Sequence, residues 1–221
     1  MTDLFADQQP SVQALVEDTY LLKGFALQHD AAILAGLAQV VELAPLRNSV
    51  TPGGFKMSVA MSNCGDLGWV TDTKGYRYTI QDPLSGKPWP AMPAAFKLLA
   101  QQAAKTVGYE HFEPDACLIN QYKVGASMGL HQDKNETDFN QPIVSISLGL
   151  PAVFLFGGSL RSDKPLKVPL AHGDVVVWGG KARLNFHGIS PVKAHPHSMM
   201  DARLDGHLNK HRFNLTLRKA G

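Results

Sequence analysis

In the stretch Gly129-Leu130-His131-Gln132-Asp133-Lys134 a histidine and an aspartate stand two residues apart. Residues i and i+2 of an extended strand point to one face, so His131 and Asp133 can present an imidazole and a carboxylate to a single point. A second histidine from a distant strand would complete two His and one carboxylate on one face of an octahedron. The opposite positions then stay open for a co-substrate and dioxygen, the arrangement of non-heme Fe(II) oxygenases. Two later stretches belong with this one: Phe186-His187-Gly188, and the closing run Arg212-Phe213-Asn214-Leu215-Thr216-Leu217-Arg218.

A bare His-x-Asp is a weak signal, and the chain holds a second, His172-Gly173-Asp174. Its central glycine lies between Leu170 and the apolar run Val175 to Trp178, where a tight turn is expected, so this pair is read as structural. The closing run carries more information. Arg212, Asn214, Thr216 and Arg218 share one face of a strand while Phe213, Leu215 and Leu217 share the other. Two guanidiniums on one face can each clamp a carboxylate in bidentate fashion, although the same pattern also describes an amphipathic strand with a solvent side. Asn120 and Tyr122, again two apart, offer an amide and a phenol to one face.

The elements that would position these groups can be read in outline. The 221 residues, 44% hydrophobic, can bury a full core, and the length favours a single domain. An acidic N-terminus and the lack of any apolar run of spanning length point to a cytoplasmic protein without a membrane segment. Cys64 and Cys117 are too few for a disulfide framework and are expected as buried thiols. Net charge is +2 but unevenly spread. Residues 1–160 hold 10 Lys/Arg against 15 Asp/Glu, and residues 161–221 hold 11 against 4. A basic C-terminal part would attract a phosphate backbone or an anionic small molecule.

Residues 1–18 are polar and mixed and are expected to form a loose arm, followed by a short strand over Thr19 to Phe25. A helix is predicted from Asp30, read as its cap, to Pro45, with Ile33, Leu34, Leu37, Val40, Val41 and Leu43 on the core side. Lys56 to Ser62 alternates like a strand. The following region carries Trp69, Tyr76 and Tyr78 and ends in the proline-rich Asp82 to Pro93; it is predicted as irregular, stiff loop whose aromatics could stack on bases. A second helix runs from Pro93 to Val107, stopped by Gly108. Six short β-type runs follow: Ala116 to Tyr122, Ile143 to Leu148, Ala152 to Phe156, Lys167 to Leu170, Val175 to Trp178 and Arg212 to Arg218. The fold class is therefore α+β, mainly β: a β-sandwich with helices packed on one side. No heptads or long apolar strips call for a partner chain, so a monomer is expected.

Taken together these residues resemble the AlkB family of 2-oxoglutarate- and Fe(II)-dependent nucleic-acid demethylases. The resemblance rests on Asn120-Gln121-Tyr122, His131-Gln132-Asp133-Lys134, Pro142 to Gly158, Gly173 to Gly180, His187-Gly188 and Arg212-x-Asn214-x-Thr216-x-Arg218. It extends upstream through Thr51-Pro52-Gly53-Gly54, Met57 to Met61 and Gly68-Trp69, nearly the whole chain from about residue 45. The resemblance implies a double-stranded β-helix (jelly roll) over about 116–218, supporting N-terminal helices, and a nucleotide-recognition region over about 50–90. It implies Fe(II) held by His131, Asp133 and His187, and 2-oxoglutarate held by Arg212 and Arg218 with Asn120, Tyr122 and Asn214. Fe(II), 2-oxoglutarate and O2 would remove methyl groups from bases such as 1-methyladenine and 3-methylcytosine in DNA, single or double stranded, with RNA a second candidate. The target base would be flipped out and stacked between Trp69 and the His131 ring, with Met61 near the base and Tyr76 and Arg161 on the nucleic-acid backbone.

The chain departs from the family pattern in two places. That pattern has an acid two residues after the iron-binding aspartate; here Asn135 stands there, followed by Glu136, and is expected to contact the base edge while weakening the preference for cationic lesions. The segment between His187 and Arg212 is long and holds His195, His197, His207 and His211, read as a solvated loop in preference to a second metal site. Two other readings keep the scaffold: an oxygenase of a protein or small molecule, and a catalytically silent nucleic-acid-binding module. Trp69, Tyr76 and the basic C-terminal part argue against the first, and the intact His131, Asp133, His187, Arg212 and Arg218 set against the second.

Overall fold

The computed structural model describes residues 11–194 and 210–221. Along the chain run β1 (Ser11–Val16), β2 (Thr19–Lys23), α1 (Asp30–Leu43), β3 (Arg47–Val50), β4 (Lys56–Gly65), β5 (Gly68–Asp72) and β6 (Gly75–Thr79). Then follow α2 (Ala94–Thr106), β7 (Ala116–Lys123), β8 (Met128–His131), β9 (Ile143–Gly149), β10 (Ala152–Phe156), β11 (Leu166–Leu170), β12 (Val175–Trp178), β13 (His187–Ile189) and β14 (His211–Arg218). An eight-stranded sheet has the order β1-β2-β12-β9-β14-β7-β4-β3, and a four-stranded sheet the order β11-β10-β13-β8. The two sheets make the expected jelly roll.

Strand β14 shows why the layers stack as they do. It sits inside the large sheet between β9 and β7, and every residue from Arg212 to Arg218 is buried. Its apolar face, Phe213, Leu215 and Leu217, packs with Phe96, Leu99 and Ala103 of α2 and Ile33, Leu37 and Val40 of α1. Burying each large apolar side chain there contributes roughly 1.5–3 kcal/mol. The other face, with Arg212, Asn214, Thr216 and Arg218, looks toward the small sheet. It is thus an interior polar surface, and the amphipathic-strand reading with a solvent side does not hold. A second apolar cluster closes the space between the sheets, with Leu21, Ile143, Phe154, Phe156, Val176 and Trp178 among its members.

Five expectations are corrected. Leu43, at the end of α1, is 63% exposed and not core. Residues 11–16 of the supposed arm form an edge strand paired with β2. The region around Trp69 and Tyr76 is a regular hairpin, β5 on β6, tied down by Asn63, whose side chain bonds both the N–H and the C=O of Trp69. Asp30 is not the cap of α1: His29 occupies that position without a side-chain bond, and the Asp30 carboxylate instead lies 3.0 Å from His172 Nε2. Finally, β8 ends at His131, so Asp133 lies in the loop beyond it. His172-Gly173-Asp174 is structural as expected. Its histidine accepts the Gly149 N–H, Gly173 takes a left-handed φ of 87°, and Asp174 accepts the Gly24 and Ala171 N–H groups. Of the histidines in the long segment, His195, His197 and His207 lie outside the described residues.

The helices meet at Gly36, where a Cβ would stand 2.9 Å from Pro93 Cβ and 3.1 Å from Phe96 Cε1. Alanine is intrinsically better than glycine in a helix by about 1 kcal/mol, but overpacking a tight contact costs about 1–3 kcal/mol. Gly36→Ala is therefore expected to lower the urea midpoint, whereas a gain in stability would show that the two helices can part without cost.

Candidate metal centre and substrate cavity

In the small sheet β8 and β13 run antiparallel with His131 directly opposite His187. Facing residues of such a pair share one side of the sheet, and the two rings lie 4.4 Å apart between centroids. The strands can come this close because residue 188 is glycine: a Cβ there would stand 2.6 Å from the Met128 carbonyl oxygen. His131 Nδ1 lies 2.9 Å from Gly129 O, and His187 Nδ1 lies 3.0 Å from Asn185 O. A carbonyl only accepts, so each Nδ1 carries the proton and each Nε2 lone pair remains available to a metal. Asp133 completes the group: its Oδ1 is 3.9 Å from His131 Nε2 and its Oδ2 is 3.6 Å from His187 Nε2. All three ligand atoms fall within 4.8 Å of one another.

Charge is tuned to suit a cation. Burial, reinforced by the neighbouring His187, pushes the His131 imidazole down to about 4, which keeps it neutral at physiological pH. Burial alone would raise the Asp133 carboxyl, but the Arg218 guanidinium and the two histidines hold it well below the usual carboxylate range. Arg218 Nε donates to Asp133 Oδ2 at 3.0 Å, and Nη2 donates to the same oxygen. The last strand of the large sheet thus orients a ligand that belongs to the small one.

Deeper in the space between the sheets, register gathers the remaining expected residues. Arg212 faces Tyr122 and Asn214 faces Asn120 across β14 and β7, and Met61 of β4 faces Asn120 in turn. Asn120 Nδ2 donates to Asn214 Oδ1 at 3.3 Å, and Asn214 Nδ2 donates to Ser145 Oγ at 2.7 Å. Arg212 is only 1% exposed. Its Nη2 reaches Ser147 Oγ at 3.3 Å, while Nε and Nη1 are buried with no partner among the described residues. Burial pushes this guanidinium down to about 10, so it is still a cation at neutral pH. A buried cation with two idle donors is costly unless an anion completes it.

The mouth of the cavity is aromatic. Trp69 and Tyr76 stack with centroids 5.6 Å apart and planes 19° from parallel. Trp69 Nε1 donates to Asn135 Oδ1 at 3.2 Å. Arg161 also lines the cavity, with its guanidinium 6.0 Å from the Phe186 ring centre. One cavity of about 600 Å³ is lined by every residue the sequence singled out for metal, co-substrate or base. The sequence reading missed Arg183 and the buried role of Glu136, and grouped Tyr78 with the stacking aromatics although its hydroxyl points to Glu136 and Arg218. Tyr78 donates to Glu136 at 2.6 Å, and Arg183 lies 3.3 Å from the same carboxylate. No local spacing marks these three, because they meet only through the tertiary fold.

Fold and site define a class. Residues 18–218 match the model of the 2OG-Fe(II) oxygenase superfamily. Within that class the chain is 50% identical over 220 residues to the alpha-ketoglutarate-dependent dioxygenase AlkB of Salmonella typhimurium, covering 100% of this chain and 98% of that one. It is likewise 50% identical over 222 residues to AlkB of Escherichia coli, covering 100% and 99%. The solved structure of OsALKBH1 superposes with a TM-score of 0.77 at 31% identity, covering 95% of this chain and 100% of that one. The chain belongs to the AlkB family of 2-oxoglutarate- and Fe(II)-dependent dioxygenases.

The residues present fit those groups. Two imidazoles and a carboxylate are the donor set of a non-heme Fe(II) centre, and the idle donors of Arg212 suit a co-substrate carboxylate. Lysine at position 212 would keep the charge but lose the fork. Arg212→Lys is expected to weaken 2-oxoglutarate binding at least about tenfold by calorimetry, with metal binding retained; unchanged 2-oxoglutarate affinity would remove Arg212 from the co-substrate site.

Proposed function

We propose that the protein repairs N-alkylated bases such as 1-methyladenine and 3-methylcytosine in DNA, and as a second substrate RNA, by oxidative demethylation. The observation that carries this reading is the joining, in one cavity of about 600 Å³, of the His131, Asp133 and His187 cluster with the Trp69–Tyr76 stack. That volume is in the range of ligand pockets, roughly 300–1,000 Å³, and has room for a base and a small co-substrate together. The names of relatives point the same way: one is the tRNA demethylase abh1 of Schizosaccharomyces pombe, 28% identical over 158 residues.

In this reading His131, Asp133 and His187 hold Fe(II). Arg212 takes one carboxylate of 2-oxoglutarate, with Asn120, Tyr122 and Asn214 lining its site, and Arg218 steadies both Asp133 and the co-substrate. Iron, 2-oxoglutarate and dioxygen supply the oxidation of a methyl C–H bond, which no acid or base side chain can perform, with succinate, carbon dioxide and formaldehyde as products. The chain supplies position. Trp69 and the His131 ring flank the flipped base, Met61 lies beside it, and Tyr76 and Arg161 meet the backbone at the rim. An alkylated base that cannot pair is cheaper to extract, because unstacking costs about a few kcal/mol and lost pairing lowers that. Single and double strands are both substrates on this account, since the cavity receives only the flipped base. One chain builds the whole site, which supports a monomer. Cys64 and Cys117 are buried free thiols, which supports a cytoplasmic setting. No helix among the described residues is long and apolar enough to cross a membrane.

Asn135 sets the finer specificity. A tryptophan N–H can only donate, so the bond from Trp69 fixes which amide atom is the oxygen and leaves the Asn135 NH2 as a neutral donor available to the base. A neutral donor replaces the acid of the family pattern, and the preference for cationic bases weakens. Asn135→Asp is expected to raise the rate on 1-methyladenine and 3-methylcytosine relative to neutral etheno lesions. Equal relative rates in the two proteins would sink this assignment.

The overall reading is tested by formaldehyde and succinate release from an oligonucleotide carrying one 1-methyladenine, beside an unmodified control. Both products should depend on the lesion and vanish in His131→Ala with the circular dichroism spectrum preserved. Succinate without lesion dependence would mean another substrate.

A further inference from the structure

Between β8 and β9 the chain crosses residues 132–142 without helix or strand, yet this segment carries both Asp133 and Asn135. An irregular segment cannot hold a metal ligand through ladder bonds, so something else must fix it. One buried side chain from elsewhere touches it at four points. Arg183, 2% exposed, follows the short turn after β12. Its Nη1 donates to Asp133 O at 2.9 Å and its Nε donates to Gln141 O at 3.0 Å. Its Nη2 lies 3.3 Å from Glu136 Oε2, and its Cζ lies 5.4 Å from the Phe139 ring centre.

We propose that Arg183 is a positioning residue for the iron site: its guanidinium pins the 132–142 segment from within and so sets the affinity of His131, Asp133 and His187 for the metal. The proposal rests on the reading that these three residues bind iron. Arg183 faces away from the reacting groups and touches Asp133 only through the backbone. Its influence is also electrostatic. Arg218 serves two carboxylates, donating to Asp133 and lying 3.5 Å from Glu136. Arg183 supplies a second positive charge beside Glu136, whose side chain is 1% exposed. Without Arg183, Glu136 competes with Asp133 for Arg218, and the Asp133 carbonyl loses its donor. Both changes loosen one ligand of three.

The test uses Co(II) as the probe, followed by its visible absorption bands during titration of the full chain, with thermal melts alongside. Partners of metal ligands typically affect affinity by about 10–100-fold. Arg183→Met is expected to weaken Co(II) binding by that range, and Arg183→Lys, which keeps charge but cannot reach both carbonyls, to weaken it less. Removing one partner of a buried ion pair destabilises Arg183→Met, so the pair Arg183→Met with Glu136→Gln, which removes both charges together, serves as the folding control. This double variant should fold and still bind Co(II) weakly, because the Asp133 and Gln141 carbonyls remain unheld. Wild-type affinity in Arg183→Lys and the double variant would overturn the proposal, and recovery in the double variant alone would reduce Arg183 to neutralising Glu136. Failure of the wild-type protein itself to bind Co(II) would overturn the iron-site reading instead.

Discussion

The ion pair between Arg218 and Asp133 bridges the two sheets, and the chemistry of the cavity depends on it. Asp133 lies beyond the end of β8, without a ladder to hold it, while Arg218 closes β14 in the middle of the large sheet. The guanidinium fixes the carboxylate's direction and, against the upward push of burial, helps hold its pKa well below the usual carboxylate range. Burying an ion pair gives little net stability, since desolvation offsets attraction. The arrangement makes sense as orientation: a carboxylate already ionised and aimed is ready for a cation.

The large sheet separates two tasks by the alternation of its strands. Odd residues of β14, Phe213, Leu215 and Leu217, join the helices in a dry core that carries the stability. Even residues face the cavity and are polar, and antiparallel register aligns them with Asn120 and Tyr122 on one neighbour and Ser145 and Ser147 on the other. A slip of one residue would exchange the two faces, putting arginines among leucines. The requirement for a dry core on one side therefore also holds the site in register on the other.

This coupling explains how much could be read in the chain. The period-2 pattern of β14 and the pairing of His131 with Asp133 are local, and they led to the cavity and, with the family resemblance, to the fold. Helices α1 and α2 were legible from their apolar stripes, though the role of Asp30 was not, since its partner His172 is distant in sequence. Strands β8 and β13 escaped because they are four and three residues long, and their glycines resemble turn signals. The hairpin of Trp69 and Tyr76 was hidden by aromatics mixed with glycine and charge. The set of Arg183, Glu136 and Tyr78 has no local signature, because each residue is charged or polar in a segment that looks solvated until the fold buries it.

The idle donors of Arg212 and the exposed stack of Trp69 on Tyr76 are costs that the folded chain carries without its ligands. A buried cation lacking part of its hydrogen bonding destabilises the protein, and the dry core beneath the helices must offset that. In the proposed function 2-oxoglutarate satisfies Arg212, and its binding would recover this free energy and stabilise the fold by mass action. The aromatic wall proposed for the base differs in kind. Tyr76 is 49% exposed and already stacked on Trp69, so the aromatic surface that meets a base is preformed and little must be ordered when it arrives. On the proposed function the co-substrate end offers a fixed buried charge, whereas the base end offers a ready surface. That asymmetry suits an enzyme whose small co-substrate never changes and whose damaged base can.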